Sequence, residues 1–113
     1  SPIWAVDNSV FIVTDLADLK RLDKATGDLI WSVKLPQFVN NKKRDKSFAH
    51  FGPVLAGEKL WVASSDGFLR GFSPISGKIL NKTSLPNGAA SHPAIVNGVF
   101  YILNQRGQLL AFE

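Results

Sequence analysis

No cysteine occurs in the 113 residues. That one absence removes a disulfide framework, a thiolate metal centre and a thiol nucleophile together. No apolar run approaches the ~20 residues that a membrane-spanning helix requires, so no membrane-spanning segment is expected. The chain opens at "SPIW" without the charged-then-apolar pattern of a signal segment, as a mature or excised chain would. Helical periodicity is missing too: no segment sustains an apolar stripe at three- and four-residue spacing. The formal charge is only +4, and it is unevenly placed. Lys42, Lys43, Arg44 and Lys46 crowd around a single Asp45 and hold most of it. A nucleic-acid binder spreads its basic side chains over a face with aromatics between them, so no nucleic-acid partner is expected. The cluster reads either as a solvated loop or as an attractor for an anionic or protein partner.

What is present is strand chemistry. Hydrophobic residues make up 45% of the chain, too many for a disordered segment. "VFIVT" (10–14), "LWVAS" (60–64) and "VFYIL" (99–103) are short β-branched and aromatic runs, the composition of sheet. "DLKRLD" (18–23), "FLRGFS" (68–73) and "QLLAFE" (108–113) are shorter strands with mixed alternation. "DLIWSVKL" (28–35) and "KILNKTSL" (78–85) alternate better. Between the runs lie turn signals: "VDNS", "AGEK", "SSDG", "ISG", "VNG" and "NQRG".

An internal repeat organises these pieces. Residues 53–73 lie over 93–113 at an offset of 40, with Trp61 on Tyr101, Gly67 on Gly107, Leu69 on Leu109 and Phe72 on Phe112. Residues 10–36 lie over 60–86 at an offset of 50, with Phe11 on Trp61, Leu19 on Leu69, Gly27 on Gly77 and Leu35-Pro36 on Leu85-Pro86. Each unit is a Pro-led strand, a turn, an aromatic-bearing strand, a Gly turn, a short strand, a Thr/Ser-Gly turn and a fourth strand. Four antiparallel strands in about 40 residues predict a β-propeller blade.

"LDKATGDLIWSVKL" resembles the repeat of the PQQ-type propellers, with "DGFLRGFSPISGKI" and "RGQLLAFE" as weaker copies. The resemblance implies an all-β fold of about two and three-quarter blades. Blade-like units are placed at 1–36, 53–86 and 93–113, with an inserted basic loop at 37–52. Propellers have about 4–8 blades, so the chain is expected to be part of a larger propeller. It should pair with the remaining blades, or with copies of itself, through its open edges. In this family the tryptophan at the position of Trp31 wedges between adjacent blades and finds a backbone acceptor for its indole N–H. Asn81 departs from that pattern, and the junction beside it is expected to be filled by Leu80 or Leu85.

Within the PQQ-type propellers the chain looks most like the BamB-type lipoproteins of the periplasm. That resemblance implies a non-catalytic scaffold with a partner in the outer-membrane assembly machinery. It also implies no cofactor, and a lipid anchor in the full-length parent. The alternative is a PQQ-dependent dehydrogenase, which stacks its quinone between a tryptophan and a vicinal disulfide beside a calcium ion. The chain has no cysteine, and neither Trp4 nor Trp61 has an acidic cluster next to it.

Candidate chemistry is sparse. His50 and His92 each precede a Pro-led strand and read as loop-end residues bonded to backbone; three or four ligands are needed for a metal. Asp15, Asp18, Asp66 and Glu113 sit at turns or ends, where Asp is usual. The loop between Pro36 and Pro53 is the one break in the repeat, ten residues longer than the one between Pro86 and Pro93. Long loops on rigid scaffolds concentrate binding function. Phe38, Phe48 and Phe51 are candidate anchors for a partner, with Lys42, Lys43, Arg44 and Lys46 steering an acidic surface. The alternative is that the phenylalanines fold back and cap a blade.

Overall fold

The computed structural model describes residues 3–39 and 46–113. Among them are eleven strands and no helix. The first sheet runs β1 (Ile3–Val6), β2 (Ser9–Val13), β3 (Asp18–Asp23) and β4 (Leu29–Lys34). The second runs β5 (His50–Ala56), β6 (Lys59–Ser64), β7 (Phe68–Phe72) and β8 (Ile79–Ser84). The third has β9 (Ala94–Val96), β10 (Val99–Leu103) and β11 (Leu109–Phe112). All neighbours are antiparallel and sequential. This is the arrangement of two four-stranded blades and one three-stranded blade that the repeat predicts.

The recurrent Thr/Ser-Gly turn has a local cause. In the first blade the Asp23 carboxylate accepts from the backbone N–H groups of Ala25 (2.8 Å) and Thr26 (3.1 Å). In the second the Ser73 hydroxyl accepts from Ile75 and Ser76 in the same way. Both turns close with the Gly27 or Gly77 N–H on the carbonyl of residue 23 or 73. The glycines hold φ of 77° and 78°, a left-handed conformation that side chains disfavour. A short polar side chain at the start and a glycine at the end are what this turn needs.

The core is two layers between blades rather than one centre. Phe11, Val13, Leu19 and Leu35 of the first blade pack on Leu60, Val62 and Phe72 of the second. The opposite face of the second blade, with Ala63, Leu69 and Leu85, packs on Ile102, Leu110 and Phe112 of the third. Strand β6 therefore sends Leu60 and Val62 one way and Trp61 and Ala63 the other. A strand covered on both faces reads as a continuous apolar run, which is why "LWVA" does not alternate.

Candidate protein-interaction site

Two kinds of residue make up the candidate site: those that lock the blades into a support, and those that the support presents.

The lock between the first two blades is Trp31, on β4. Its Nε1–H donates to the Pro74 carbonyl of the next blade at 2.9 Å. Arg21, its neighbour on β3, also donates to Pro74 O at 3.2 Å and fixes itself on Ser9 Oγ at 2.9 Å. A Cβ on Gly77 would lie 2.7 Å from the indole, so the ring sits flush on that turn. Phe11, Arg21 and Trp31 form one row across the sheet.

The equivalent row of the second blade is Trp61, Gly71 and Asn81, and in it the bulk has moved. Trp61 on the second strand spreads over Gly71, where an added Cβ would be 2.9 Å from the ring. Its Nε1–H donates within its own blade, to Ala56 O at 3.0 Å, and its ring lies 5.0 Å from that of Phe100 in the third blade. Asn81 accepts from Lys59 Nζ at 2.8 Å. Hence Trp61 supplies the ring that Asn81 does not. Leu85 is sealed in the second core layer, but Leu80 is half exposed and fills nothing, which corrects one of the two expected substitutes.

The Pro36 to Pro53 segment begins and ends as a β-ribbon. Phe38 and Ser47 form an antiparallel bridge. Val39 N–H donates to Lys46 O (3.0 Å), and Phe48 N–H donates to Gln37 O (2.9 Å). Lys42, Lys43 and Arg44 lie outside the described residues; Lys46 is exposed, and Phe38 and Phe48 are half-buried. Phe51 does not belong to this arm. It lies in β5, packs against the second core layer and takes the edge of the His92 ring at 5.2 Å. The phenylalanines thus divide, with Phe51 folded back into blade packing. A cleft of about 210 Å³ separates the ribbon from the β2–β3 turn and is lined by Val13, Thr14, Asp15, Gln37, Phe48 and His50.

His50 stands at the root of the ribbon. Its Nε2 lies 2.6 Å from Pro36 O and its Nδ1 lies 2.6 Å from Ser64 Oγ. A carbonyl can only accept, so Nε2 carries the proton and Nδ1 accepts from the hydroxyl. The third blade performs the same task with different atoms. Buried Asn104, at the repeat position of Ser64, donates through Nδ2 to Pro86 O at 3.0 Å. Each Leu-Pro pair therefore recurs where the chain leaves one blade and its proline carbonyl is held by the next.

Burial lowers the His50 pKa below the ordinary 6.5. The Pro36 contact and Asp66 oppose that shift, while Arg70 and Lys34 add to it. The unfolded chain then takes a proton near pH 6.5 that the folded chain refuses, so acid favours unfolding. Stability should be level above about pH 7.5 and fall as pH drops through about 6.5. Urea midpoints measured at pH 8, 7, 6 and 5.5 check this. His50→Gln should start lower but lose the slope across that window; an unchanged slope would assign the titration elsewhere.

Sequence reasoning missed one pair. Asp66, in the β6–β7 turn, and Arg70, on β7, form a two-pronged ion pair, with Nη1–Oδ1 at 3.1 Å and a closer Nη2–Oδ2 contact. Their side chains are 8% and 7% exposed. The available signal was an arginine inside an apolar third strand, four residues after an acidic turn. His50 and His92 do not converge: the first is lodged between blades and the second is exposed. Among the described residues no three His, Asp or Glu side chains gather as a metal site would need.

The whole chain, residues 1–113, matches a family model described as outer membrane protein assembly factor BamB. Among solved structures it is similar to BamB from Moraxella catarrhalis (TM-score 0.73, 19% identity, covering 97% of this chain and 33% of that one). It is also similar to the computationally designed Ika4 protein (TM-score 0.72, 13% identity, 97% of this chain and 62% of that one). The designed Ika8 protein is a third likeness (TM-score 0.71, 13% identity, 97% and 31%). At these identities the likeness is one of fold, and the chain spans about a third of the Moraxella protein. No curated protein matches the chain.

Proposed function

This chain belongs to the family described as outer membrane protein assembly factor BamB, and from that premise we propose that it is a non-catalytic scaffold of outer-membrane protein assembly, working in the periplasm. The arm that leaves Pro36 and returns at His50 meets a protein partner. The observation that carries this reading is the mounting of the arm. Its two ends are paired through Phe38 and Ser47, and its root is pinned by His50 to Pro36 and Ser64. A binding segment held by a rigid base loses less freedom on docking than a free loop does. Phe38 and Phe48 supply apolar contact near the base, and Lys42, Lys43, Arg44 and Lys46 supply the long-range attraction to an acidic surface.

The test is association kinetics of the chain with the purified outer-membrane protein assembly machinery. Replacing the four basic residues by alanine should leave the unfolding midpoint within error. It should slow association about tenfold at low ionic strength, with the difference shrinking as added salt shortens the Debye length and screens the attraction. Dissociation should change little, because rim charges steer rather than hold. No association of the unaltered chain at any salt would remove the scaffold reading; association at an unchanged, salt-insensitive rate would remove the arm from it.

A further inference from the structure

Arg21 is a half-buried cation with no counter-ion. Its Nε–H donates to Ser9 Oγ at 2.9 Å, and Nη1 donates to the carbonyls of Pro74 (3.2 Å) and Ile75 (3.4 Å). Hydroxyl and carbonyl oxygens satisfy those N–H groups but leave the charge unneutralised. Among the described residues no carboxylate comes within ion-pair distance of the guanidinium. Both N–H groups of Nη2 are left without a partner among them. No described polar side-chain atom is both sealed and unpaired, so Nη2 is open to solvent. Arg21 lines a cavity of about 270 Å³ between the first two blades, together with Asp7, Ser9, Phe11, Leu55 and Ile75. The charge is not something a blade joint requires. At the same place in the repeat the second blade has Gly71 and the third has Ala111, and Trp31 reaches Pro74 O by itself.

We propose that this cavity binds a carboxylate, carried on an acidic side chain of a protein segment. A guanidinium with unused N–H groups matches a planar carboxylate. The buried Phe11 ring lies 6.0 Å from its Cζ, keeps water from one side and strengthens the attraction. A phosphate fits less well. Only one positive charge is offered, and the Asp7 carboxylate on the same wall opposes a second negative charge. A lone, half-exposed ion pair is weak, so a free small acid is poorly held. A chain that brings apolar neighbours also covers Leu55 and Ile75, the second of which is 80% exposed. The site shares no lining residue with the cleft beside the arm.

Titration of the isotope-labelled chain with the peptide acetyl-Leu-Glu-Leu-amide tests this, followed by magnetic resonance at the Arg21 Nε–H and the backbone amides around it. The peptide should shift these signals saturably. Its glutamine counterpart, inorganic phosphate and free butyrate should each bind about tenfold more weakly or worse. Arg21→Gln should abolish binding. That change also removes a strut of the joint, so Asp7→Asn is the second variant. Asp7 lies at an exposed turn with φ of 52°, which asparagine tolerates. Removing its repulsion should tighten binding about threefold. Equal affinity for the glutamine peptide or for phosphate overturns the proposal, and equal affinity for butyrate overturns the protein segment as the source. No saturable shift up to about 10 mM peptide also overturns it, as does weaker binding by Asp7→Asn.

Discussion

Asp66→Ala is expected to cost about 3–5 kcal/mol of folding stability, although Asp66 lies in a turn. The substitution leaves the Arg70 guanidinium buried at the joint with no carboxylate to neutralise it, and breaking such a pair is far more costly than never having had it. Arg70 has nowhere cheap to go. It stands between Val62 and Lys82 in the register of β7 and lies over the Phe68 ring at 5.4 Å. Lys82 already sits 4.2 Å from the same ring. Guanidinium chloride or urea unfolding measures the loss. The double variant Asp66→Ala, Arg70→Met is the informative companion: with both charges gone it should regain most of the loss. A double variant as unstable as the single one would place the effect in the turn itself.

Trp31→Ala should cost about 3 kcal/mol, near the lower end of the range for large aromatic truncations in cores, because the indole is half-buried. Three losses combine: ring contact with the Gly77 turn, packing near Phe11, and the hydrogen bond to Pro74 O. Trp31→Phe separates them. It keeps much of the ring contact and gives up the N–H, so it should cost about 1 kcal/mol. A loss for Trp31→Ala below about 1 kcal/mol would mean the blades are held without the wedge. The first joint would then rest on Phe11, Val13, Leu19 and Leu35 against Leu60, Val62 and Phe72, with the Arg21 bond to Pro74 O.

The strands were legible because each is bounded by turn residues and repeated with its landmarks in place. Their ends were less so. Pro53 is expected to lead its strand, yet β5 begins at His50. A register shift between Phe51 and Val54 accommodates Pro53, which has no N–H to give to a ladder. That shift draws His50 and Phe51 out of the loop and into the blade. The role of Asn81 was illegible for a different reason. Column-by-column comparison sees tryptophan replaced by asparagine, but the compensation lies two strands away at Trp61, and only the register shows that these positions share a row. Asp66 looked like any turn aspartate; the one local signal was Arg70 in an apolar strand four residues on, and that the two side chains meet in a buried pair is visible only in the structure. The mounting of the arm by His50 depends on a carbonyl, and a carbonyl leaves no mark in a sequence.

The two rows, Phe11-Arg21-Trp31 and Trp61-Gly71-Asn81, also bear on how such a chain can change over time. With the indole of Trp61 lying on Gly71, no residue bearing a Cβ fits at position 71 unless that ring moves. Taking the ring away while Asn81 remains leaves the second joint with no large aromatic in the row. The route from one arrangement to the other therefore passes through a gap or a collision, whichever single step is taken first. Two blades built on opposite sides of this divide cannot trade residues one at a time. They can trade whole rows, so the row, rather than the residue, is the unit of inheritance at a blade joint.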